Sequence, residues 1–218
     1  WGRESKTKRD VHGMKQNCVT FCNTFVTVCS KLAQHIQESK FQNEKTIAIA
    51  LATFGNARAA VEFSDLAIPE VISPEEVGQH NMMRKGVQGH VPFRDQFDQR
   101  IAIGPAPGDS SETARVGGWT RFNQSRRFDD LAIAAISDSW YPGLFTKKLD
   151  PPMHCPTVDH TVHFLANYPE NAGLEEFLLV DFQTSTANNG YLVEDGCIWT
   201  AGGLLLARSR QLAIILPH

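Results

Sequence analysis

The sequence predicts an α+β protein in which one short buried helix is wrapped by a curved antiparallel sheet. Three observations carry this. The run Phe128-Asp-Asp-Leu-Ala-Ile-Ala-Ala-Ile136 is apolar almost all round, so its helix must be covered on most sides. A succession of strand-like stretches separated by turn residues follows it. A turn-plus-strand segment near Ala50 is also repeated in plan near Ala207, as expected if one architecture occurs twice.

The elements follow in chain order. Thr24-Phe-Val-Thr-Val28 and His35-Ile-Gln-Glu-Ser-Lys-Phe41 read as strands, and Asn43 to Phe54 reads as a turn leading into a small-and-apolar strand. Residues 1–20 show neither an Ala-rich helix nor an opening strand, so residues 1–67 form a first unit that is partial or divergent. Residues 68–113 hold Pro69, Pro74, Pro92, Pro105 and Pro107 and read as a connector with one strand, Gln96 to Ile103. Residues 114–218 form the second unit. It opens on the strand Gly117 to Phe122, and the helix follows with Asp129 or Asp130 as its N-cap. Ala132, Ala134 and Ala135 are small enough for a sheet to approach the helix closely. Four antiparallel stretches complete the unit: one from Thr157, then Phe177–Phe182, Tyr191–Glu194 with Ile198–Thr200 after it, and one ending near Gln211. Asn188-Asn-Gly190 is a turn signal, and Gly117-Gly118 and Gly202-Gly203 are turn or bulge glycines.

Composition narrows the function. A chain of 218 residues can form one large domain or two small fused ones, and 42% hydrophobic with 21% charged residues is ordinary for a globular protein. A net charge of −3 without a basic stripe gives no electrostatic case for a nucleic-acid partner. No apolar run approaches the roughly 18 residues of a membrane span. Residues 1–10 are charged and lack the apolar core of a secretory leader. The five cysteines are odd in number and scattered, which predicts free thiols in a reducing, cytoplasmic setting. Cys18 and Cys22 lack a second ligand pair at zinc spacing, and a strand puts His160 and His163 on opposite faces. Neither a metal nor a cofactor is expected.

Three polar residues of the second unit sit where polarity is disfavoured. Asp138 follows the Ala-rich run near the negative end of the helix, a placement that costs about 0.3–1 kcal/mol, and partial burial would raise its pKa. Thr157 opens a strand. Gln211 interrupts one, and a buried unpaired amide costs about 1–3 kcal/mol. Together, a carboxylate, a hydroxyl and an amide can hold and polarise one water molecule. Each also has an ordinary reading: a solvated Asp at a frayed helix end, a strand-favouring Thr, and a Gln bonded across the sheet. Asp159, two residues beyond Thr157 and so on the same face, is a rival carboxylate or a structural partner of His160. Arg126, Arg127, Lys147, Lys148, Arg208 and Arg210 could neutralise phosphates or simply be solvated charge.

The motifs Thr46-Ile-Ala-Ile-Ala-Leu-Ala-Thr-Phe-Gly55, Val91-Pro-Phe-Arg-Asp-Gln-Phe-Asp-Gln-Arg100, Ala135-Ile-Ser-Asp-Ser-Trp140, Thr157-Val-Asp-His160 and Leu206-Ala-Arg-Ser-Arg-Gln211 resemble, in order and spacing, the acyl-CoA thioesterase II-like family. The likeness runs from about Phe25 onward. It implies a double hotdog: two fused units, each a curved sheet around a helix. It also implies hydrolysis of an acyl thioester without a covalent intermediate, by water activated jointly by an Asp, a Thr and a Gln of the second unit. Asp138, Thr157 and Gln211 match those positions. The substrate implied is an acyl-CoA, or an acyl-carrier thioester, and further pairing into homo-oligomers is common in the resembled family. The competing readings are a non-catalytic acyl-binding or assembly protein and a product-releasing enzyme of a biosynthetic pathway. A dehydratase of the same fold would need an Asp–His pair early in the helix, and a serine hydrolase a Gly-x-Ser-x-Gly elbow; the chain has neither.

Overall fold

The computed structural model describes residues 34–56, 58–78, 91–105, 109–147, 153–170, 173–174 and 176–217. The expected strand at Thr24–Val28, with Cys18, Cys22, Cys29 and Lys148, lies outside the described residues.

Strands β1 (Gln34–Gln42) and β2 (Lys45–Phe54) form an antiparallel hairpin. Its turn residues Asn43 and Glu44 both have positive φ, 49° and 64°, as a two-residue hairpin loop requires. The connector then makes one helical turn, α1 (Pro74–Val77), which the proline-rich composition did not predict. A capping box accounts for it: Ser73 accepts from the Glu76 amide while the Glu76 carboxylate accepts from the Ser73 amide. The connector also covers the back of the second sheet. Ile68, Val71 and Val77 pack on Trp119, Phe177 and Leu179, and the Trp119 indole donates to the Ile72 carbonyl at 2.8 Å.

A 3₁₀ turn at Pro92–Gln96 leads into β3 (Phe97–Ile103), β4 (Arg115–Phe122) and helix α2 (Asp130–Ile136). A second 3₁₀ turn (Gly143–Thr146) and the two-residue β5 (Met153–His154) follow. Then come β6 (Thr157–Phe164), β7 (Leu178–Asn188), β8 (Tyr191–Thr200), β9 (Leu205–Ile214) and β10 (Leu216–Pro217), the last pairing with β5. Six strands make one antiparallel sheet in the order β3-β4-β7-β8-β9-β6. Asn189 and Gly190, both at positive φ, close the β7–β8 hairpin. Gly118 sits opposite a bulge in β3 at φ 143°, where a Cβ would lie 2.0 Å from the Arg100 carbonyl oxygen.

Asp129 caps α2 by accepting from the Ala132 amide. Ala132, Ile133, Ala135 and Ile136 are buried against Val116, Val180, Phe182, Ile198 and Ala207 of the sheet. Burying each of the two isoleucines contributes about 1.5–3 kcal/mol. The helix is covered on most sides, as expected, with Leu131 62% exposed on its outer face. It ends at Ile136 with Ser137 as the C-cap, so Asp138 stands in the following turn. One sequence expectation needs correction: Tyr191–Glu194 and Ile198–Thr200 are one continuous strand. The residues between them, Asp195-Gly-Cys197, stay in register with β9, and Gly196 has Ser209 and Phe182 pressed where a Cβ would be.

Candidate active site

The inward faces of the four strands β6, β9, β8 and β7 carry one polar row. Register pairing sets His160 opposite Gln211, Gln211 opposite Glu194, and Glu194 opposite Thr184. On either side the inward positions are mostly apolar or small: Leu192 and Ala213 on one side, Gly196, Ser209 and Phe182 on the other. The chain leaving α2 crosses this row and meets each member in turn.

Ser137 and His160 come first. The Ser137 hydroxyl donates to the Ala134 carbonyl at 2.8 Å, so its 2.8 Å contact with His160 is donated by the ring Nε2–H. Burial holds His160 down at about 4, so the ring is neutral. Its Nδ1 has no partner among the described residues. A Ser–His pair with the serine proton directed at a backbone carbonyl, and no carboxylate on the other ring nitrogen, lacks the parts of a nucleophilic triad.

Asp138 and Gln211 come next. The Gln211 amide donates one proton to Asp138 Oδ1 at 3.2 Å and the other to the Thr157 hydroxyl. The three side chains singled out in the sequence therefore meet at one nitrogen. Burial pushes Asp138 up to about 6, against the opposing pull of the Gln211 bond and of the Arg94 charge.

Thr157 reaches this point because of a bulge. It pairs with Ala213, but Asp159 pairs with Leu212, so two steps along β6 correspond to one along β9. Thr157 thereby shares the inward parity of Gln211, and Asp159 takes the opposite one. The sequence expectation that Thr157 and Asp159 share a face is overturned, and with it the case for Asp159 as a rival carboxylate.

Gly143 and Leu144 complete the crossing. The Gly143 amide donates to Glu194 Oε2, and the Thr184 hydroxyl donates to the same oxygen at 3.0 Å while accepting from the Leu144 amide at 3.1 Å. Glu194 is 5% exposed, and burial is the main cause of its rise to about 7.

A clamp from β3 and the turn before it holds the loop from the other side. Arg94 donates through Nε to the Ser139 carbonyl at 3.2 Å and through a terminal nitrogen to the Trp140 carbonyl at 3.1 Å. The Gln99 amide donates to the Ser139 carbonyl and hydroxyl. The amides of Ser137, Asp138 and Ser139 are taken up by the Ile133, Ala135 and Ile136 carbonyls. These three amides are therefore not free to donate to a developing oxyanion.

Sequence reasoning missed Arg94, Gln99 and Glu194. Glu194 had a readable signal, since it shares strand parity with the apolar Leu192 and Ile198. Arg94 and Gln99 had none, because their targets lie 40 or more residues away. Of the candidate phosphate-binding cations, Arg210 is paired with Asp195 and Arg126 with Asp129, and Lys147 donates to the Glu112 carbonyl. Among the described residues no cluster of three metal-ligating side chains occurs, and no helix is long and apolar enough to cross a membrane.

A six-stranded antiparallel sheet curled around one short helix, with its polar centre where the helix ends, defines a hotdog domain. The chain belongs to the acyl-CoA thioesterase family: residues 74–215 match the family model of the acyl-CoA thioesterase C-terminal domain. Its fold is α+β, of the double-hotdog kind. Among solved structures it is similar to a conserved hot dog fold protein of unknown function from Alicyclobacillus acidocaldarius, at 25% identity and TM-score 0.73, over 88% of this chain and 70% of that one. It is also similar to the acyl-CoA thioesterase II TesB2 of Mycobacterium marinum, at 20% identity and TM-score 0.65, over 88% and 72% of the two chains. The tesB protein of Mycobacterium avium subs paratuberculosis follows at 17% identity and TM-score 0.65, over 87% and 69%. No curated protein matches the chain.

Proposed function

We propose that this protein hydrolyses an acyl-CoA thioester with water activated by Asp138, Thr157 and Gln211, without a covalent intermediate. The observation that carries the reading is the Gln211 amide, bonded at once to Asp138 and Thr157. With both amide protons engaged, Gln211 keeps its carbonyl oxygen as an acceptor, and Thr157, which accepts from Gln211, keeps its own O–H as a donor. A water held by these groups next to the Asp138 carboxylate has one proton directed at a base. Asp138 takes that proton as the water oxygen bonds to the thioester carbonyl carbon. The C–S bond then breaks, and the thiolate leaves with the proton Asp138 accepted. At neutral pH Asp138 is mostly ionised yet basic enough to accept a proton, which suits a general base.

The division into a partial first unit (1–67), a connector (68–113) and a second unit bearing the site (114–218) belongs to the same reading. So do a cytoplasmic setting and assembly into homo-oligomers.

Thiol release from a panel of acyl-CoAs and acyl-carrier proteins tests it. Release from acyl-CoAs that falls at least a hundredfold in Asp138→Asn, with the fold retained, is the expected result. Release confined to carrier-bound acyl groups would move the substrate to a carrier thioester. Binding of acyl-CoA without release from any member would make the protein an acyl-binding module, and undiminished release by Asp138→Asn would remove Asp138 from the chemistry.

A further inference from the structure

Within the polar row, Glu194 is the carboxyl that the proposed mechanism leaves unused. It stands directly opposite Gln211, the residue that holds Asp138. It also receives the Gly143 amide, five residues beyond Asp138, and through Thr184 it is linked to the Leu144 amide. The chain leaving Asp138 is thus tied back to the sheet at Glu194. A buried carboxyl without an ion pair is costly to ionise. A glutamine could accept the same two protons without that cost, so anchoring alone does not call for a glutamate.

We propose that Glu194 is a positioning residue for Asp138, fixing the return of the loop that carries it and coupling its own charge to that of Asp138 across Gln211. The inference rests on Asp138 being the base of the reaction.

The two carboxyls share one dehydrated region, and like charges there cannot ionise independently. Burial raises both carboxyls and the Asp138 charge raises Glu194 further, so the pair gives up its two protons in successive steps. Above about 7 a second negative charge appears in the site. It opposes the negative charge that grows on the thioester carbonyl oxygen during attack. Other groups act on the pair. Asp195, paired with Arg210, also raises Glu194, and Arg94 lowers Asp138. Cys155 and Tyr141 are pushed up by burial and His160 is pushed down, so all three are neutral where the carboxyls titrate.

The test compares pH profiles of kcat/KM for thioester hydrolysis in the wild type, Glu194→Gln and Glu194→Leu, together with carbon-13 carboxyl titration of Glu194 in the wild type and Asp138→Asn. The wild type is expected to rise through about pH 6 and to fall about threefold or more above pH 7. Glu194→Gln, which still accepts the Gly143 and Thr184 protons, should keep the rise and lose the fall. Glu194→Leu, which cannot accept them, should lose about tenfold in kcat with little change in KM. The Glu194 midpoint should drop in Asp138→Asn. An alkaline fall retained in Glu194→Gln, or a Glu194 midpoint unmoved in Asp138→Asn, overturns the proposal; the second measurement decides if Glu194→Gln does not fold. Full hydrolysis by Asp138→Asn would instead refute the general-base reading, and the carboxyl titration would still report the coupling of the two groups separately.

Discussion

Asp138 and Gln211 are 73 residues apart in the chain and are joined by a 3.2 Å bond from the Gln211 amide to the Asp138 carboxylate. The bond stabilises the ionised form of Asp138 and partly offsets the penalty of burial. Gln211→Leu should therefore do two things. Losing a hydrogen bond to a charged group costs about 1.5–3 kcal/mol, so hydrolysis should fall roughly ten- to a hundredfold. The acid limb of kcat/KM should also move to higher pH, because burial then acts unopposed by that bond. A lower rate on an unmoved limb would mean that Gln211 orients water but does not tune Asp138.

The buried carboxylate predicts a conflict between activity and stability. Asp138 rises from 3.8 to about 6 on folding, with burial as the first cause. The sign is fixed by linkage: the folded state binds a proton more tightly than the unfolded state, so folding is favoured at low pH and weakened as pH rises from about 4 through about 6. Above that range the ionised group opposes folding by roughly 3 kcal/mol. Asp138→Asn should accordingly be more stable than the wild type at pH 8 while hydrolysing far more slowly. The gain should shrink toward pH 4. Urea unfolding at both pH values checks this, and equal stability differences at the two would contradict it.

Arg94 holds the turn that presents Asp138 and lends it positive charge. Arg94→Leu leaves the Ser139 carbonyl with only the Gln99 bond and removes the bond to Trp140. A loss of about 1–3 kcal/mol in stability is expected. Arg94 also lowers Asp138, so its removal should shift the acid limb upward, in the same direction as Gln211→Leu. Arg94→Lys should recover part of the limb position and little of the stability, because an ammonium cannot reproduce the two-nitrogen grip on neighbouring carbonyls.

Much of this site was legible in the sequence because its signals were local. Asp138 and Gln211 each broke an apolar or strand pattern at its own position, Thr157 was marked by its place before Asp159-His160 in the family resemblance, and α2 carried its own N-cap at Asp129. What could not be read depended on register. The extra residue in β6 reverses which face Asp159 occupies, and no side-chain pattern marks it. The polar row is likewise a property of four strands together. His160, Thr184, Glu194 and Gln211 are unremarkable until pairing sets them side by side. Arg94 carried no signal because the Ser139 and Trp140 acceptors it grips are backbone carbonyls, which have no signature in sequence.

Ser137 and His160 offer a last discrimination between mechanisms. Their 2.8 Å contact resembles a nucleophile with its base. The geometry says otherwise, because the hydroxyl proton is directed at Ala134, burial holds the ring at about 4 and so leaves it a weak base, and no carboxylate meets its Nδ1 among the described residues. Ser137→Ala should therefore leave no less than about a third of wild-type hydrolysis, where loss of a true nucleophile would cost several orders of magnitude. The variant should lose about 1 kcal/mol of stability, since the buried His160 N–H then lacks an acceptor. Mass spectrometry of enzyme quenched during turnover should show no acylated protein. An acyl group found on Ser137, or a thousandfold loss in Ser137→Ala, would replace water activation by a covalent route and make Asp138 a supporting group.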